Sequence, residues 1–218
     1  VFKTDIGYKK LTDQYRFSPA GKYNENNTNL LVAQSNLQWA INNRHQLVTG
    51  IQYLHKKINS NDRGDHSLSH GGAFIVFNHR LPYHVTLNES ARMDWDEMYG
   101  LAFLPQINAA WSNKKFTFRT SIGKGIRDAD FTERYNNYNK TLVTAGNIGN
   151  PTLQAEKSWS YELGTDFSIL SNLKWSTTLF YRAQKALIDW TPTLYNNMPR
   201  ISNLIPAGNY ALATNKSS

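Results

Sequence analysis

The chain has 218 residues, 40% of them apolar and 13% aromatic, with 12 Tyr and 6 Trp against only 18% charged residues. The absence of cysteine excludes a disulfide framework and a thiolate metal site, and the low charge content excludes a disordered charged tail as the main feature. A net charge of +8 admits an anionic partner, but the basic residues are scattered without a recognition stripe, so nucleic acid is not an expected partner.

No apolar run approaches the ~18 residues of a membrane helix; the longest, Ala73-Phe74-Ile75-Val76-Phe77, is strand-sized. Period-2 alternation predicts strands over 1–17, 29–42, 45–59, 71–79, 83–95, 98–112, 115–127, 157–171 and 173–189. Residues 1–5 already alternate, so the chain is expected to be part of a longer protein. No helical period is visible. Tight connections at 42–45, 79–82, 112–114 and 171–172 interleave with longer polar loops at 18–28, 60–70 and 128–156, with one short exception near Asp94-Trp95-Asp96. Such alternation of short turns and long loops is the habit of a transmembrane barrel.

The two faces of the strands differ. Phe116, Phe118, Thr120 and Ile122 oppose Thr117, Arg119, Ser121 and Gly123, while Leu173, Trp175, Thr177, Leu179 and Tyr181 oppose Lys174, Ser176, Thr178, Phe180 and Arg182. The second face also carries Glu162 and Asp166, so it must be wet. All six Trp lie near predicted strand ends. A soluble core would bury them at mid-strand, whereas lipid-facing barrels gather aromatics in interfacial girdles. The expected fold is therefore all-β, an antiparallel transmembrane β-barrel wall of about nine strands; a soluble β-sandwich binding module is the alternative. Glu89 shares its parity with Val85, Leu87 and Ala91, and a charge there predicts a bulge or a register change.

The stretches FTFRTSIGKGIRDADFTERYNNYNK and GNPTLQAEKSWSYELGTDFSILSNLKWSTTLFYRAQKALIDW resemble the distal barrel of TonB-dependent outer-membrane receptors. The resembling positions are Gly125, Arg127, Phe131, Thr132 and Glu133, then the loop-closing Gly149, Asn150, Pro151, Leu153 and Glu156, then Ser158, Glu162 and Gly164. The resemblance is specific over about 116–190 and softer over 29–115, and it places 190–218 in a further extracellular loop. It implies residence in the bacterial outer membrane, in contact with its lipid, and a barrel of about 22 strands. It also implies TonB-coupled uptake of a metal chelate, a siderophore or a corrinoid, without enzyme chemistry or a cofactor. The partners so implied are the protein's own plug domain, TonB acting through that plug, and the chelate. The whole of 1–218 then reads as barrel, with plug, TonB-contact segment and closing strand elsewhere. A passive porin-like or structural barrel is the alternative of another class.

The candidate ligand surface is the loop with Arg127, Arg134, Tyr135, Tyr138 and Lys140, where cations and aromatic rings can hold an anionic aromatic chelate; the alternative is a structural loop over the barrel mouth. Arg119, Glu162, Asp166 and Arg182 are expected as lumen-facing charges, in a ladder or in plug contacts. His66 and His70, beside Asp62 and Asp65, are weak metal candidates: the spacing converges only on a helix, and the segment reads as a loop. Haem receptors of the resembling family carry a histidine in the loop before the Asn-Pro element, and none lies between Arg127 and Asn150. No catalytic constellation is visible.

Overall fold

A computed structural model describes residues 1–16, 21–170 and 172–216. The ends of the predicted strands at 17 and 171, the loop start at 18–20, the first residue of the tight turn at 171–172 and the chain end at 217–218 fall outside them. Among the described residues, nine strands form one antiparallel sheet of neighbours in nearly sequential order. They are β1 (Phe2–Tyr15), β2 (Asn24–Asn42), β3 (His45–Ser60), β4 (Gly64–Leu81), β5 (Val85–Asp96), β6 (Gly100–Ser112), β7 (Phe116–Arg127), β9 (Glu156–Leu170) and β10 (Leu173–Lys185). The segment between β7 and β9 holds a short helix, α1 (Phe131–Tyr135), and strand β8 (Val143–Ile148). Beyond β10, β11 (Leu187–Thr193), a 3-10 turn at Tyr195–Asn197 and β12 (Leu204–Lys216) follow, and β11, β12 and β8 form a second sheet in which β8 runs parallel to β12.

Several expectations need correction. The loop at 60–70 is mostly strand, so His66 and His70 lie on β4. The loop at 18–28 already contains the start of β2, and the loop at 128–156 contains α1 and β8. The strand expected to 189 ends at Lys185; Ala186, with φ of 56°, redirects the chain into β11. Residues 190–218, expected as loop, contain β12. The main reason is length. β2 has 19 residues and β4 has 18, whereas a barrel strand crosses the hydrocarbon in ~9–11. The surplus stands outside lipid, where both faces are wet and the alternation disappears.

The tight turns are built by side chains. Asn42 Oδ1 accepts from the amides of Arg44 (2.8 Å) and His45 (3.0 Å), and Asn113 Oδ1 does the same for Lys115 and Phe116 (both 2.8 Å), each a local turn mimic. At the β4–β5 connection Tyr83 and His84 both take φ of 61°, the left-handed pair that a tight hairpin needs.

Little of the nine-stranded sheet is buried. Its alternate residues stand outward and bare: Trp175 is 61% exposed, Leu179 66% and Leu163 57%. Trp39, Trp111 and Trp175 ring the tight-turn end, and Trp95 and Trp159 the long-loop end, as expected of two girdles. Trp190 departs from that expectation, packing instead with Ile188 on Ala129, Leu153 and Ala213 beneath the long loop. The larger core cluster, Val143, Ile148, Met198, Leu204, Tyr210 and Leu212, also belongs to the second sheet.

Glu89 is a further correction. The registers of β5 with β4 and β6 run through it without a shift, so it stays on the outward row. Its Oε2 lies 3.4 Å from His79 Nε2, and His79 Nδ1 lies 3.1 Å from His45 Nδ1. Glu89 pairs with Phe77 and Ile107, four residues along β5 from Val85, the partner of Trp111, and six from Trp95 of the other girdle. The two histidines give the carboxylate polar partners on an otherwise apolar row, as charged groups held between the girdles require.

β1 and β10 are open edges, with unpaired N–H and C=O rows beside a broad apolar face. Expressed alone, this segment is expected to be monomeric only in detergent and to associate in plain buffer. Light scattering in detergent-free buffer checks this; a monodisperse monomer there would return the soluble sandwich.

Candidate functional site

The inward row of the sheet is polar from strand to strand. At one level Gln46, Asn78, Asn88 and Asn108 form a transverse amide ladder, with Nδ2–Oδ1 distances of 2.5 Å from Asn88 to Asn78 and 3.0 Å from Asn108 to Asn88. Beside it Arg119 grips Asp166 with both terminal nitrogens at 3.0 and 3.2 Å, and Lys174 adds a third contact at 3.3 Å. Arg119, Glu162, Asp166 and Arg182 share this row, but not one ladder: Arg182 donates to Ser160 (3.1 Å), and Glu162 takes no part in the Arg119 pair. The four ladder amides, Arg80, Arg119 and Glu162 line a recess of about 960 Å³ toward the tight-turn end.

The long loop is clamped over the other end. Asp130 caps α1, accepting from the amides of Thr132 and Glu133, while Glu133 Oε2 accepts from the Asp130 amide, a reciprocal capping box. Arg127, the last residue of β7, lies between Glu133 (2.9 and 3.0 Å) and Glu156 (2.8 Å twice). These bonds hold the guanidinium firmly charged and lower the Glu156 carboxyl below its usual range. Arg134 is 2% exposed and donates to the carbonyls of Pro151 (2.8 Å) and Leu153 (3.1 Å) and to Asp128 (2.5 Å). Burial pushes the Asp128 carboxyl up, against the pull of that guanidinium.

The loop-closing residues complete the clamp. A side chain at Gly149 would stand 2.5 Å from the amide nitrogens of Tyr135 and Asn136, so glycine is required there. Asn150 donates to Ala213 O (3.0 Å) and accepts from Thr152, Leu153 is buried, Pro151 supplies a carbonyl, and Glu156 receives Arg127. These five residues therefore fasten the loop to the second sheet and to α1.

The expected ligand surface is divided by this arrangement. Arg134, expected there, is buried, and Arg127 is taken up by two carboxylates. Tyr135 and Tyr138 are half-buried: Tyr135 stacks on His66 with centroids 3.5 Å apart, and the Arg200 guanidinium sits 3.9 Å over the Tyr138 ring. Lys140 Nζ lies 3.3 Å from Asp62. His66 Nε2 donates to Arg63 O (2.9 Å), and His70 meets Asp96 (3.3 Å) and Asp94 (3.8 Å). The two histidines thus stand on one strand with separate partners, and no group of three metal-ligating side chains converges among the described residues. The sequence did not reveal Asp128, Glu133 as a clamp residue, Arg200, or Asp62 as the partner of Lys140. The Asp130-x-x-Glu133 spacing was the signal available for the cap.

A sheet with a polar inner row, a bare apolar outer row, two aromatic girdles and a clamped loop at one end defines part of the wall of a transmembrane β-barrel. The model of the TonB dependent receptor-like β-barrel family matches residues 2–211, so the chain belongs to that family, and to the bacterial outer membrane. The iron-regulated outer membrane virulence protein of Vibrio cholerae is 28% identical over 145 residues, 63% of this chain and 22% of that protein. The siderophore receptor PirA of Pseudomonas aeruginosa superposes with a TM-score of 0.75 at 19% identity, over 99% of this chain and 38% of that one. A mutant of the ferric enterobactin receptor of the same organism gives 0.79 at 16% identity, over 99% and 37%. The chain therefore spans well under half the length of these relatives.

The clamp has a pH dependence. Because the Glu156 carboxyl is lowered from its ordinary 4.5 in the folded protein, its stabilisation is complete above that value and is lost as pH falls through the lower folded value. Protease cutting within 128–156 of the full-length protein is expected to stay slow down to about pH 4.5 and to accelerate below it. Glu156→Gln is expected to raise the neutral-pH rate and flatten the profile.

Proposed function

We propose that this wall belongs to a receptor that imports a scarce metal chelate, a ferric siderophore in preference to a corrinoid, across the outer membrane under power from TonB. The polar inner row under a clamped loop, in a chain of this receptor family, carries the reading. The likeness to the siderophore receptor PirA, to the ferric enterobactin receptor and to the iron-regulated Vibrio protein favours iron. A plug domain elsewhere in the protein would occupy the lumen against the amide ladder and Arg80, and would transmit the pull. The half-exposed Tyr135, Tyr138 and Lys140 offer rings and charge to an anionic aromatic chelate, while Arg127 and Arg134 hold the loop that presents them. The ligand leaves chemically unchanged.

The test is uptake by cells grown under iron limitation, given radioiron-loaded catecholate or hydroxamate siderophores, or labelled cobalamin. Deleting the gene is expected to abolish uptake of one ferric siderophore and spare cobalamin, and deleting TonB is expected to abolish uptake of that same siderophore. Uptake that persists without TonB would establish a passive pore, and loss of cobalamin uptake alone would establish a corrinoid receptor.

A further inference from the structure

On the outward face, at the long-loop end, three lysines stand together. Lys157 and Lys185 are directly opposite across the β9–β10 pair, and Lys124 of β7 faces Trp159, diagonal to Lys157. Like charges placed opposite one another on a sheet repel, and no carboxylate lies within ion-pair distance of any of the three among the described residues. They border a recess of about 540 Å³ whose other walls include Trp159 and Tyr181. Trp159, Tyr161 and Tyr181 form a continuous aromatic patch, with successive centroids 6.5 and 6.1 Å apart. Aromatic rings at this position mark the membrane interface, so the ammonium groups stand at headgroup level, one step beyond it. They face away from the lumen, out of reach of anything passing through it.

We propose that Lys124, Lys157 and Lys185 form a binding site for a phosphorylated glycolipid of the outer leaflet. The phosphates bridge the three ammonium groups, and the sugar and first acyl segments lie over Trp159 and Tyr181. An anion between Lys157 and Lys185 converts a repulsive pair into two charge-assisted contacts. The site commits to lipid over a soluble anion because its floor is the aromatic, lipid-facing wall. It depends on residence in the outer membrane and is independent of what the lumen transports.

The experiment uses the full-length protein purified in detergent and titrated with bisphosphorylated lipid A, with the same lipid stripped of phosphate, and with inorganic phosphate, bound lipid being read by native mass spectrometry. Wild type is expected to retain bisphosphorylated lipid A and to ignore inorganic phosphate. Lys124→Gln, Lys157→Gln and Lys185→Gln combined are expected to weaken retention on the order of 100-fold, from about a fivefold loss per lysine near an anionic surface. The corresponding triple Arg variant is expected to keep it. Heat-modified gel mobility shows that each variant has a folded barrel, and a Gln variant that fails this check is replaced by the three single variants, each expected to weaken retention about fivefold. Equal retention of the phosphate-free lipid, displacement by inorganic phosphate, or undiminished retention by folded Gln variants would each overturn the proposal. So would an acidic protein that co-purifies on these lysines and excludes the lipid.

Discussion

Leu163→Arg, at the middle of β9 on the outward row, is expected to destabilise the full-length barrel in lipid vesicles by about 2–4 kcal/mol, the cost of a cation at the bilayer midplane. Leu163 is 57% exposed, with no protein layer over it. On the outward row of an outer-membrane barrel such a side chain meets lipid, and lipid solvates a guanidinium poorly. Ser121→Arg is the matched control. Ser121 lies on the inner row directly opposite Glu162, so the new guanidinium meets water and a carboxylate, and the expected cost is within about 1 kcal/mol. Denaturant unfolding in vesicles measures both. Equal costs would mean that the outward row is covered by protein.

Arg134→Ala is expected to release the loop. The guanidinium is buried, and its removal leaves Asp128 and the carbonyls of Pro151 and Leu153 without their donor. Breaking one partner out of such a buried network costs about 3–5 kcal/mol, more than the rest of a short loop can offset. Protease cutting between 128 and 156 in the full-length protein should accelerate by two orders of magnitude or more, on the order set by that loss. Asp130→Ala removes only the α1 cap, worth about 1 kcal/mol, and should accelerate cutting roughly fivefold to tenfold. The ordering separates the two roles: comparable rates for the two variants would mean that Arg134 is not the anchor.

The same two residues show what each level of description could reach. Leu163 was placed correctly by alternation alone, because in a barrel the side-chain period of 2 and the choice between lipid and water are one fact. Within the hydrocarbon, each residue must satisfy one solvent or the other. That Arg119, Glu162, Asp166 and Arg182 share one row opposite the apolar one was legible for the same reason. Arg134 was not legible. A run of cations and tyrosines reads equally as ligand surface or as clamp, and only the fold brings Asp128, Pro151 and Leu153 around that guanidinium.

The sequence by itself determined the antiparallel barrel wall, its inner and outer rows, the turn end, and the family to which the motif around Gly149 points. Those features follow from local periodicity, local turn chemistry and short-range motifs. Tertiary structure decided the rest. It extended β2 and β4 beyond the membrane, where interstrand pairing continues after alternation has ended. It let Glu89 stay on the outward row beside His79, without a bulge. It folded residues 187–216 back as β11 and β12, with β12 running parallel to β8, a contact between segments some sixty residues apart. It also set Lys157 against Lys185, an opposition invisible until the register of β9 and β10 is known. Pairing across long sequence separations has no local signature, because its energy comes from partners that the chain must first bring together.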